Sequence, residues 1–79
     1  MAKTRREQPR RLARKLLAIR QNLGLSQTEM ASALKLKVSY TVVSGYELGT
    51  NEPNLLILLR YARLARVPVD NLIDDKLDI

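Results

Sequence analysis

The first nine positions are mostly polar and end in Pro9, a pattern that suits an extended arm followed by a helix start. From Arg10 onward, apolar side chains fall at Leu12, Leu16, Ile19 and Leu23, at spacings of four, three and four. That period predicts a helix with one apolar face, leaving Arg11, Arg14, Lys15 and Gln21 elsewhere on its surface. Gly24 supplies the left-handed stop expected just past its end. Ser26 to Glu29, "SQTE", then reads as a capping box, the Ser26 hydroxyl accepting from the Glu29 amide and the Glu29 carboxylate accepting from the Ser26 amide. Met30, Ala31 and Leu34 give the next helix, of about eight to ten residues, its inner face. "KLKV", at 35–38, breaks the period and predicts a turn.

Residues 39–49, "SYTVVSGYELG", carry two patterns at once. Val, Tyr and Thr favour a strand, and alternation places Val38, Tyr40, Val42 and Tyr46 on one face. No second strand-like segment exists in the chain to pair with it, so that reading requires two chains to join strands across a dimer. Wound as a helix over 39–48, the same residues put Ser39, Val42, Val43 and Tyr46 on one side. Thr41, Ser44, Gly45 and Leu48 then fall on the other, with Tyr40 exposed in the first turn. The outer face is small, uncharged and able to hydrogen-bond, which suits a surface lying close against a ligand. The helix is the reading adopted.

"TNEPN" is turn chemistry, with Asn54 as an N-cap. A strongly apolar helix follows from Leu55 to Ala65, its inward stripe expected at Leu55, Leu58, Leu59 and Ala62. Leu56 and Ile57 are left as an outward apolar pair, read either as a dimer contact or as overflow into the core. Pro68 separates this helix from a short last one that turns Val69, Leu72 and Ile73 inward. The sequence thus predicts an all-α domain of five helices over 10–75, with a basic arm at 1–9 expected to be disordered and a short acidic tail at 76–79.

Seventy-nine residues with neither Cys nor His leave no disulfide, thiolate, imidazole catalyst or ordinary zinc site. A domain this small holds no deep pocket, so an enzyme is not expected, nor is a metal or other cofactor. The net charge of +6 is uneven: eight of the fourteen basic side chains lie within residues 1–20, where Glu7 is the only acid. That asymmetry suits a polyanionic partner, nucleic acid first and an anionic membrane surface second, against the plain alternative of a solubilising tail. No apolar run approaches the ~20 residues of a membrane span, so no membrane partner is expected.

"LLAIRQNLGLSQTEMASAL" and "VSGYELGTNEPNLLILLRYARLARVPVDNLI" together resemble the phage-repressor and Cro-like, or XRE-like, helix-turn-helix domains. The likeness runs from about residue 16 to residue 73 and rests on five signals in order. They are "GLSQ" opening helix two, Ala31 at a close helix contact, "YELG" closing helix three, the Pro-capped fourth helix, and "VPVDNLI". The resemblance implies a compact five-helix, lambda-repressor-like domain that binds double-stranded DNA. It further implies a transcriptional regulator acting as a homodimeric repressor on an operator, cytoplasmic and associated with a bacterial or phage genome, with no evident small-molecule effector. A protein-interaction module, such as an antitoxin-type partner, is the alternative.

Carried over residue by residue, the resemblance places helix three in the major groove, with Tyr40, Thr41, Ser44 and Gly45 at base-contacting positions. Ser26 and Gln27 fall where a helix N-terminus meets phosphate. The backbone amides of Thr50 and Asn51 match further phosphate contacts, Ser39 is expected to meet phosphate too, and Lys37, with Lys35, is expected to reach it from the turn before helix three. Arg20 and Glu47 match a pair bridging helices one and three, whose guanidinium also reaches phosphate. The turn at 35–38 departs from the family: it is longer and lacks Gly, leaving the start of helix three at Val38 or Tyr40. The outer face holds no Arg, Asn or Gln, the side chains that pair bidentately with bases.

Overall fold

A computed structural model describes residues 8–37 and 39–79. The expected arm cations Lys3, Arg5 and Arg6, and Val38 in the turn, lie outside them. The described chain runs through α1 (Leu12–Leu23), α2 (Gln27–Ala33), α3 (Thr41–Leu48), α4 (Leu55–Ala65) and α5 (Asp70–Ile73), with no strand among the described residues. Helix α1 packs on α3, α4 and α5, while α2 packs on α3. No described helix is long and apolar enough to cross a membrane.

The starts of α2 and α4 follow from the residues that precede them. Ser26 Oγ accepts from the Glu29 amide at 3.0 Å, and Glu29 Oε1 accepts from the Ser26 amide at 2.8 Å. Asn54 Oδ1 accepts from the Ile57 amide at 2.9 Å. Four helices then stop by one device, in which two amides beyond the helix turn back onto its last carbonyls. The Gly24 and Leu25 amides reach Gln21 and Arg20, and those of Gly49 and Thr50 reach Tyr46 and Gly45. Lys35 and Leu36 do the same to Ser32 and Ala31, and Arg66 and Val67 to Arg63 and Ala62. The pivot residue is left-handed each time, but Lys35 and Arg66 hold φ at 59° without the freedom of glycine. This is how the turn at 35–38 dispenses with Gly.

The core gathers Leu12, Leu16 and Ile19 from α1, Met30, Ala31 and Leu34 around α2, and Val43 and Tyr46 from α3. Helix α4 adds Ile57, Leu58, Tyr61 and Ala62, and α5 adds Leu72. The rings of Tyr46 and Tyr61 meet edge to face with centroids 6.3 Å apart. The rotation of α4 corrects the sequence reading. Leu55 is 84% exposed, Leu59 is half-buried, and Ile57, expected outside, is 5% exposed. Five consecutive apolar residues give the period no polar marker, and the Tyr61–Tyr46 contact decides which side turns in. Leu56 remains outward, so the exposed pair is Leu55 and Leu56 and not Leu56 and Ile57. Ile73 and Ser39, also expected inward, are exposed.

Lys15 is a second correction. It is buried, with Nζ donating to the carbonyls of Asn71 at 2.7 Å and Asp74 at 2.9 Å. The cation thereby satisfies carbonyls at the end of α5. The tail answers at the other end of α1: Asp75 accepts from the amides of Arg10 at 2.9 Å and Arg11 at 3.0 Å, replacing a local cap. Arg11 bonds the Asp75 carbonyl at 2.8 Å and pairs with Asp78, whose own carbonyl accepts from Asn71 Nδ2 at 2.9 Å. The acidic tail is therefore docked onto α1. Part of the basic surplus of residues 1–20 is neutralised within the fold.

Candidate nucleic-acid interface

Helix α3 is held from behind by one polar cluster. Glu47, on its inner side near the C-terminal end, takes Arg20 of α1 in a fork, with Arg20 Nε to Oε2 at 2.6 Å and Nη2 to Oε1 at 3.0 Å. Arg20 Nη1 donates to the Leu25 carbonyl at 3.0 Å, closing the bend between α1 and α2. Gln27 Nε2 adds a bond to Glu47 Oε1 at 3.1 Å. Three helices thus converge on one carboxylate whose side chain is 5% exposed. The hydrogen bond from Arg20 to Glu47 raises the guanidinium pKa further, outweighing the opposing effect of burial. The fork is committed to this bridge together with one N–H of Gln27, while the Ser26 backbone amide is taken separately by Glu29.

The outer side of α3 presents what the residues allow. Ser39, Tyr40 and Thr41 are exposed and Ser44 is half-exposed, with the Ser39 and Thr41 hydroxyls 2.6 Å apart at the helix start. Lys37 stands exposed just before them. Leu48 ends the helix 75% exposed. The helix begins at Thr41, with the Ser44 amide donating to the Tyr40 carbonyl. Apart from Leu48 these exposed residues are polar, and none of them is acidic.

Gly45 does not lie bare on that surface, as the helical wheel alone suggested. It is buried because the side chain of Asn51, returning from the loop after α3, lies across it. The Thr50 and Asn51 amides both donate to the Gly45 carbonyl, at 3.0 and 3.2 Å, and the Thr50 hydroxyl joins them at 3.3 Å. The amides expected to meet phosphate are thus spent on fixing the loop. A groove of about 340 Å³ separates this loop from the start of α1, with Pro9 and Arg10 on one wall and Asn51 on the other. The described end of the arm therefore lies beside the loop that follows α3.

The contact between Asn51 and Gly45 and the burial of Lys15 were missed in the sequence because each is set by a turn or a distant helix end. A glycine inside a helix, six positions before an Asn, becomes a signal only when the intervening turn is known.

A family model described as Helix-turn-helix matches residues 16–72. Among curated proteins, Antitoxin HigA1 of Mycobacterium tuberculosis, in strains CDC 1551 / Oshkosh and ATCC 25618 / H37Rv, is 42% identical over 57 residues. The match covers 72% of this chain and 37% of those relatives, so the chain spans well under half their length. Among solved structures, the P22 c2 repressor protein in complex with synthetic operator 9T, in the presence of Tl+, superposes with a TM-score of 0.72. Its sequence identity is 22%, over 81% of this chain and 94% of that one, a likeness of fold.

Proposed function

Because the chain belongs to the helix-turn-helix family of phage-repressor and Cro-like domains, we propose that it is a sequence-specific regulator that sets α3 in the major groove of double-stranded DNA. The observation that carries this reading is the exposed start of α3. Ser39, Tyr40, Thr41 and Ser44 form a polar surface free of acids, on a helix braced by the cluster of Arg20, Gln27 and Glu47. Hydroxyls there donate or accept at base edges, and the Thr41 methyl suits the thymine methyl. Lys37 and Ser39, at the rim of that surface, take the phosphate on one side. Ser26 and Gln27 bring the start of α2 towards phosphate on the other. Arg20 acts chiefly as the brace, its fork being engaged.

The regulator works by occupancy, as a homodimeric repressor that excludes other proteins from an operator. Leu55 and Leu56, exposed together at the start of α4, are the apolar surface available to a second copy. The name of the relatives, antitoxin, favours a second reading in which DNA binding accompanies a protein partner. A salt titration on duplex DNA tests the first. Log affinity falls linearly with log salt, with a slope near −0.9 per phosphate contact. Absence of duplex binding at low salt overturns the proposal and leaves the partner reading.

A further inference from the structure

The exposed face of α3 lacks the side chains that read bases bidentately, yet the structure brings one to it from outside the helix. A Cβ added at Gly45 would come within 2.5 Å of Asn51 Nδ2, 3.1 Å of its Cγ and 3.3 Å of its Cβ. The carboxamide of Asn51 therefore fills the space that a side chain at position 45 would occupy. Position 45 lies one turn beyond Thr41 on the same row of the helix, so the carboxamide continues that row. Gly45 is what allows this, since any other residue there would push Asn51 aside.

We propose that Asn51 is a base-reading residue of this protein, a loop side chain laid over Gly45 to recognise adenine in the major groove. The inference rests on the DNA-binding reading given above and adds to it a specificity that α3 alone does not supply. Two observations separate this role from a merely structural one. The loop is already held by the Thr50 and Asn51 amides and the Thr50 hydroxyl, all donating to the Gly45 carbonyl. The carboxamide, in turn, makes no hydrogen bond among the described residues, and the residue is exposed. Its Oδ1 accepts and its Nδ2 donates, which complements the N6 amino group and N7 of adenine. Guanine presents two acceptors on the same edge and cannot satisfy both atoms.

The experiment is selection of bound sites from a random duplex library, done in parallel with the full chain, Asn51→Ala and Gly45→Ala. Asn51→Ala removes the carboxamide, whereas Gly45→Ala keeps it and displaces it with a methyl group. The wild type enriches a motif with adenine at one position per half-site, and both variants lose that preference while keeping the rest of the motif. In competition binding, replacing that adenine by another base weakens the wild type about ten-fold or more and the variants by less than two-fold, on the order expected for one bidentate contact. Thermal melting of each variant excludes loss of fold as the cause. If Asn51→Ala selects the wild-type motif unchanged, the assignment of Asn51 is overturned while DNA binding stands. If the wild type enriches no motif, or fails to bind duplex at all, the functional proposal falls and this inference with it.

Discussion

At the scale of single residues, Glu47 is the position on which most depends. It accepts from Arg20 twice and from Gln27 once, and its side chain is nearly buried. Removing it would leave a guanidinium largely enclosed with only the Leu25 carbonyl as a partner. Breaking one side of a buried ion pair costs about 3 kcal/mol or more, and Arg20, at 17% side-chain exposure, recovers some of that by rehydration. Glu47→Ala is therefore expected to destabilise by about 2–3 kcal/mol in chemical denaturation, and to weaken DNA binding because α3 loses its brace. An unchanged unfolding midpoint would dismiss the brace. Tyr61 is the opposite case. Its hydroxyl is buried without a hydrogen-bond partner among the described residues, and burial pushes its pKa above the ordinary range. Tyr61→Phe keeps the ring against Tyr46 and removes the unpaired group, so stability should hold or rise by up to about 1–2 kcal/mol. A clear loss would mean that the hydroxyl is bonded after all.

At the scale of elements, the helix ends divide what the sequence displays from what it hides. Ser26 with Glu29, Gly24, Asn54 and Gly49 were legible because each acts on backbone within a few residues of itself. At Lys35 and Arg66 the sequence showed where the helices end but not how, since both residues adopt a conformation that their side chains disfavour. Tertiary packing holds them there: Leu34 is fully buried just before Lys35, Arg60 Nη1 donates to the Leu34 carbonyl at 2.9 Å, and Val67, just after Arg66, packs partly buried against the core. Replacing either pivot by glycine should relieve the strain, offset partly by the greater entropy of the unfolded glycine. A gain of about 0.5–1 kcal/mol for Lys35→Gly and for Arg66→Gly is expected. The two should add in thermal unfolding, being on separate elements, and a loss in either variant would refute the strain. The same division explains α3. Its local composition favours a strand, and the helix wins because Val43 and Tyr46 reach the core together while a strand would have no partner within the chain. What the wheel could not give was the fate of Gly45, which depends on where Thr50 and Asn51 return.

At the scale of the molecule, the two ends of the described chain are tied to one another, and this bears on how charge is used. Reading net charge along the sequence treated residues 1–20 as a donor of positive potential and the tail as its separate acidic counterpart. In the folded chain Asp75 caps the start of α1, Asp78 pairs with Arg11, and Lys15 is buried against the end of α5. Such pairings join residues more than fifty positions apart, and no local pattern announces them. They make a prediction about pH. The amides of Arg10 and Arg11 hold the Asp75 carboxyl below its ordinary value, and the Arg11 hydrogen bond does the same for Asp78. A carboxylate whose folded pKa is depressed contributes stability that is present above its unfolded value, near 4, and is lost as pH falls through the folded value. Thermal midpoints should thus fall as the buffer is taken from about pH 5 to below pH 4. Asp75→Asn should lower the midpoint at neutral pH and flatten its dependence on acid. A residual slope will persist from Asp78 and from Glu29, whose carboxyl is depressed by the Ser26 amide. Parallel profiles for the wild type and Asp75→Asn would show that the tail is not coupled to α1. Affinity for duplex DNA, compared at neutral pH and below the melting range, should change little in Asp75→Asn, because the clasp lies between α1 and α5 and not on the exposed face of α3.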